Sequence, residues 1–238
     1  MPSHLLQRKN LAYHRKKRNR PVTEISTLSS MNLTTLLLTV AVVLANVLGV
    51  GMLIPQTLRI VRRGDLAGVS SEWIGMGLGV NAGWLIYAWT SGVWGIFGVS
   101  VGGLALYLAM AAGTRRLDPA HFSRSNTTAL LVLNVLGWAA AIGQVTALGL
   151  TLAALFTVQF APAAWSAWTS PTVSGVSATT WVLALGEAVI WAGYGIAIGD
   201  RPLLLGGAGA SVMASLVLLR IWRGPLGHNR TPATTFPS

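Results

Sequence analysis

From residue 31 to about residue 222 the chain is a series of apolar runs separated by short polar stretches. Seven of these runs predict membrane helices, at 33–58, 71–90, 93–113, 128–146, 148–168, 177–198 and 202–221. Each is close to the roughly 20 residues that an α-helix needs to cross a hydrocarbon core of about 30 Å. Residues 129–168 carry no charge and are too long for one crossing, so a tight turn is expected near Gly143–Gly149. The pattern predicts an all-α integral membrane protein with seven transmembrane helices. Residues 1–30 are polar and basic and read as a disordered arm, and residues 223–238 read as a polar tail.

Composition agrees with the pattern. The 238 residues are 53% hydrophobic and 10% charged, with a mean hydropathy of +0.59, against about 25% charged in soluble domains. No Lys or Arg lies between Arg124 and Arg201, and the acids there are Glu187 and Asp200. The formal charge of +11 would suit an anionic partner, but its distribution argues against nucleic acid. Seven basic residues sit in the arm (Arg8, Lys9, Arg15, Lys16, Lys17, Arg18 and Arg20), and most of the others flank apolar segments, where cytoplasmic helix ends collect them. With no cysteine there is no disulfide framework or thiolate site. His4, His14, His121 and His228 fall in tails or loops at spacings that suit no zinc site. No nucleophile–base pair is apparent, so neither metal, cofactor nor enzymatic activity is expected.

Seven crossings put the termini on opposite sides. Arg59, Arg62, Arg63, Arg115, Arg116, Arg124, Arg220, Arg223 and Arg230 then share one side, while the other holds Arg201 and the arm. The positive-inside rule places the first loop and the C-terminus in the cytoplasm of a multi-pass cell-membrane protein. The basic arm opposes this orientation. Three readings accommodate it: a start at Met31, an inverted topology, or a signal peptide over 1–45 ending in Val43-Leu44-Ala45.

The chain also repeats itself. A shift of 107 positions, the separation of Pro55 and Pro162, superimposes Gly68-Val69-Ser70 on Gly175-Val176-Ser177 without a gap. It also superimposes Leu78-Gly79 on Leu185-Gly186, Trp84 on Trp191, Tyr87 on Tyr194, Gly92 on Gly199 and Gly102 on Gly209. Each copy holds three apolar segments and one is left between them, a 3+1+3 arrangement of repeats at 31–116 and 147–222 with a linker at 117–146. An odd linker makes the two three-helix bundles parallel.

Ile54-Pro55-Gln56, a basic loop, Gly68-Val69-Ser70 and Trp84-x-x-Tyr87 together resemble a PQ-loop repeat of the SWEET and SemiSWEET sugar transporters. The resemblance runs from about residue 40 to 222. It implies two three-helix bundles around one central pathway, rocking about hinges at the helix prolines. Pro55 and Pro162, at equivalent positions in the two copies, are those hinges, with static kinks as the alternative, since a helix proline removes a backbone hydrogen bond and crowds the preceding turn. Gln56 has Ala163 as its counterpart, so the second motif is degenerate.

The resemblance also implies that Trp84 and Trp191 line the substrate pocket. Tyr87 and Tyr194, one turn further on the same face, would shape an exit. Trp73, Trp94 and Trp222, near segment ends, fit interfacial roles. The family's sugar-binding asparagine should fall at Ser100 and Gly207, and neither is asparagine. Asn81, one turn before Trp84, is a substitute, whereas Asn46 and Asn134 suit helix–helix contacts. Glu187 is the one ionisable side chain well inside an apolar span, one turn before Trp191, and an intramembrane carboxyl is a functional candidate by default. Proton coupling, anchoring of an amine and a structural role are all open to it. Asp200 and Arg201 read as solvated loop residues.

Three readings follow: a facilitator for a sugar or sugar-like small-molecule solute, a proton-coupled amino-acid or amine carrier of the cystinosin type, and a non-transporting scaffold. The expected partners are the solute and the lipid bilayer. One chain can enclose a pathway, so a homo-oligomer is allowed but not required.

Overall fold

The structure, a computed structural model, describes residues 33–66, 69–169 and 177–224. The basic arm, the tail beyond 224, the histidines in both, and Gly68, Gly175 and Val176 of the repeated tripeptide lie outside these residues. The helices are α1 (Leu33–Arg63), α2 (Ser71–Ser91), α3 (Phe97–Leu117), α4 (Pro119–Thr169), α5 (Ala178–Ile198) and α6 (Arg201–Arg223), with a 3₁₀ turn at Trp94–Ile96 leading into α3. Five are long and apolar enough to cross a membrane: α1, α3 with its leading turn, α4, α5 and α6. This is the fold of a multi-pass membrane protein.

The chain divides into two units at Thr39–Val40. Residues 33–39 open α1 with exposed Leu33, Leu36 and Leu37. Everything that follows lies in the second unit.

Five spans differ from the seven expected for two reasons. First, α2 is diluted by Gly75, Gly77, Gly79 and Gly83, together with Glu72 and Asn81. Those glycines face neighbouring helices. A Cβ on Gly79 would strike Val132, and one on Gly75 would strike Thr128 and the backbone at Ser125. Small residues let α2 and α4 approach closely, at the cost of the hydropathy that marks a span.

Second, α4 is one continuous element of 51 residues, about 76 Å if straight. It is not straight. Gly143 (φ −123°, ψ 15°) and Gln144 (φ 55°, ψ −148°) leave helical geometry, and the side chains of Leu136 and Leu152 both press on Gly83. Residues 16 apart in an unbroken helix are about 24 Å apart, so the chain turns back at Gly143–Gln144. That is the early end of the stretch expected to turn, and it leaves two arms, 119–142 and 145–169.

Helices also run past the apolar runs that announce them. α1 continues through Arg59, Arg62 and Arg63. α4 begins at Pro119 rather than near 128, so His121, expected in a loop, is helical and buried. Asp118 Oδ1 accepts from the amides of Ala120 (3.0 Å) and His121 (3.1 Å) and fixes that start. Arg and His at a membrane surface leave no hydropathy mark, yet the backbone there still satisfies itself best by continuing the helix.

Residues paired by the 107-residue shift play matching structural parts. Ser70 caps α2 by accepting from Trp73 N (3.1 Å), and Ser177 caps α5 by accepting from Thr180 N (3.3 Å). Both helices have 21 residues and end at a left-handed glycine, Gly92 (φ 76°) and Gly199 (φ 72°). Gly102 packs on Val50, and its counterpart Gly209 packs on Thr157, the counterpart of Val50.

Candidate functional site

A cavity of about 60 Å³ lies between α2, α3, α5, α6 and the second arm of α4. At about 10–15 Å³ per water that is room for roughly four to six waters. Its lining pairs off under the same shift: Val80 with Glu187, Trp84 with Trp191, Ile96 with Leu203, Val99 with Gly206 and Ser100 with Gly207. Asn81 and Phe156 complete it. Five of the seven substrate-contact residues expected from sequence thus meet at one cavity: Asn81, Trp84, Ser100, Glu187 and Trp191.

Glu187 is the one ionisable side chain in the lining. It is 6% exposed, and Oε1 accepts a hydrogen bond from Trp191 Nε1 at 3.1 Å, one helical turn away. Room for it comes from α1, where a Cβ on Gly49 would overlap the carboxylate and Val99. The counterpart of Gly49 is Phe156, and the counterpart of Glu187 is Val80. The two sides of the cavity therefore differ in a coordinated way. Phenylalanine faces an apolar wall on one side, and on the other a missing side chain makes space for a carboxylate.

Amide chemistry is sparse here. Ser100 donates its hydroxyl to Ile96 O (2.7 Å). Asn81 donates to Gly77 O (2.8 Å), and its Oδ1 sits over Gly103. At Gly207 there is no side chain and no space for one, because a Cβ would stand 2.5 Å from Ala192 N and 2.7 Å from Ala188 O. The α5–α6 backbone approach occupies the place where an asparagine would reach inward.

Tyr87 and Tyr194 stand outside the lining, at the Gly92 and Gly199 ends of their helices, and each reaches toward the other half of the chain. Tyr194 packs on Gly95. Tyr87 packs by Gly149, and its hydroxyl donates to Asp200 Oδ2 at 2.6 Å. Asp200 is therefore not a solvated loop residue: Oδ1 also accepts from Leu203 N (2.8 Å) and caps α6. Arg201 is the first residue of that helix.

Beyond the other end of the cavity, Gln159 Nε2 donates to the hydroxyl of buried Tyr107 at 3.0 Å, joining the second arm of α4 to α3. Sequence reasoning missed Phe156, Gly49, Tyr107 and Gln159. The shift could have shown the first two, as the counterparts of each other.

The hinge candidates are in place but apart from the cavity. Pro55 lies inside α1 and Pro162 inside the second arm of α4, both on exposed faces. Gln56 is half-buried, with Nε2 lacking a hydrogen bond. Trp73, expected at an interface, packs edge-on to Tyr107 with centroids 5.1 Å apart, while Trp94 and Trp222 are exposed. Asn46 does bridge elements, donating to Val42 O (2.8 Å) and Gly95 O (2.9 Å). Asn134 is on an exposed face. Among the described residues no cluster of His, Asp and Glu could hold a metal ion. No protein-family model and no curated protein matches the chain.

Proposed function

We propose that the chain is a membrane transporter that moves a small solute through the central cavity by alternating access. The moving parts are two three-helix bundles, α1–α3 and the second arm of α4 with α5 and α6. The first arm of α4 is the linker, so that seven segments form a 3+1+3 arrangement with the C-terminus in the cytoplasm. The observation that carries this reading is the lining, in which five residues of the first bundle pair with five of the second under one shift. A cavity on the relation between two repeats is where repeat-built transporters place their substrate. The PQ-loop resemblance names sugars and sugar-like compounds as the solute class and assigns hinge roles to Pro55, Gln56 and Pro162.

A second reading, a proton-coupled carrier, is favoured by Glu187, because a facilitator of neutral sugars needs no carboxyl in its pathway. The poverty of free amide groups weighs the same way. Counterflow in proteoliposomes, with labelled monosaccharides, disaccharides, amino acids and amines, tests both. Trp84→Ala/Trp191→Ala is the inactive control. Sugar exchange abolished by the control supports the first reading, and amine or amino-acid exchange without sugar supports the second. Silence across the panel strengthens the scaffold reading.

A further inference from the structure

The carboxylate of Glu187 raises a charge-balance problem that the cavity must solve. An ionised carboxylate away from water is costly unless a cation is paired with it. One hydrogen bond from a neutral indole does not supply that charge. Among the described residues, the elements around Glu187 offer no cation: α1 presents Gly49, α2 presents Val80, Asn81 and Trp84, α3 presents Val99 and Ser100, α4 presents Phe156, and α6 presents Gly206 and Gly207. None of these titrates. Tyr107 on α3 is the titratable group that interacts electrostatically with Glu187, and it adds no positive charge. The carboxyl is therefore either held neutral by its own proton or, when ionised, balanced by a positive charge that enters through the cavity.

We propose that Glu187, with the indoles of Trp84 and Trp191, forms a binding site for a small organic cation, an ammonium or guanidinium group, which exchanges with a proton on the carboxyl. The inference rests on the transport reading for its physiological use, but not for the site itself. Aromatic side chains beside a desolvated carboxylate are the groups that recognise such cations, through the ring face and through charge. Gly49 lacks the side chain that would otherwise fill the carboxylate's place, whereas its counterpart Phe156 lines the cavity together with Val80, the counterpart of Glu187. Each cation that enters displaces one proton to water. The net charge of the site stays constant, which allows the closed cavity to form with either occupant.

The test uses the purified full chain in detergent. Binding of methylammonium, guanidinium and choline is followed by thermal stabilisation between pH 5 and 8, with glucose as the neutral control. The expected result is stabilisation by at least one cation, with affinity tightening as pH rises by up to about tenfold per unit, whereas any stabilisation by glucose should not change with pH. Glu187→Gln keeps the shape and can still accept from Trp191, and it should weaken cation affinity roughly 10- to 100-fold. Failure of all three cations to bind, or affinity independent of pH in the wild-type chain, overturns the proposal even where the variant does not fold. Flux separates it from the broader reading. Neutral-solute counterflow without cation binding removes this site but keeps the transporter, while cation binding without flux keeps the site and removes transport.

Discussion

The hydroxyl of Tyr87 donates to Asp200 across 113 residues of chain, and the second oxygen of the same carboxylate caps α6. One side chain thus fixes the start of the last helix and ties the end of α2 to it, and if the transporter alternates, this bond would hold the Gly92 and Gly199 end of the cavity shut. Removing the hydroxyl alone separates these roles. Tyr87→Phe should leave the cap intact and cost about 1–2 kcal/mol of the closed state, allowing for partial solvation of the pair. The chain has no cysteine, so Ser100→Cys provides a single thiol in the cavity. Its labelling by a small maleimide should be about tenfold faster in the Tyr87→Phe background. Equal rates would mean that the bond does not hold this end shut.

Gly49 and Gly51 make a controlled pair. An alanine at Gly49 meets the Glu187 carboxylate, whereas Gly51 has nothing within 4 Å. Gly49→Ala should destabilise by about 1–3 kcal/mol through overpacking, and Gly51→Ala should be neutral or stabilising by up to about 1 kcal/mol. Adding Glu187→Ala to Gly49→Ala should recover part of the loss, a coupling that a double-mutant cycle in thermal melts measures. An additive cycle would place the carboxylate elsewhere than against α1.

The matched caps predict matched energies. Ser70→Ala and Ser177→Ala should each cost about 1 kcal/mol. Gly92→Ala and Gly199→Ala should each cost about 1–2 kcal/mol, because an L side chain is strained at these φ values. Thermal melts of the four variants check this. Large effects in one copy and none in the other would show that the two copies have diverged in how they hold their helices.

Much of the site was legible because its residues are rare types in an apolar background. A carboxylate, two tryptophans and an asparagine at one-turn spacings stand out among Leu, Ala and Val, and the shift of 107 positions ties them together. Gly49 and Phe156 carry no such contrast, since either is ordinary in a membrane helix until its neighbour is known. The Tyr107–Gln159 bond joins residues 52 apart with no periodic relation, so only packing reveals it. Asp200 was misread because its partner, Tyr87, comes from another helix end. In the fold, hydropathy located the runs but missed the polar first turns of α4 and understated α2, whose glycines exist for close approach rather than for apolarity.

The bond between Gln159 and Tyr107 should act at the opposite end from Tyr87–Asp200. Tyr107 is 3% exposed and Gln159 half-buried, so removing the hydroxyl takes away the partner of the Gln159 amide, at a cost of about 1 kcal/mol. If the two bundles alternate, the penalty falls on states closed at this end, and Tyr107→Phe shifts the population toward opening there. Ser100→Cys in sealed right-side-out vesicles discriminates the ends with a membrane-impermeant maleimide. Tyr87→Phe should raise labelling from one face, and Tyr107→Phe should raise it from the other by about tenfold or more. If both variants open the same face, the cavity has a single mouth and alternating access is excluded.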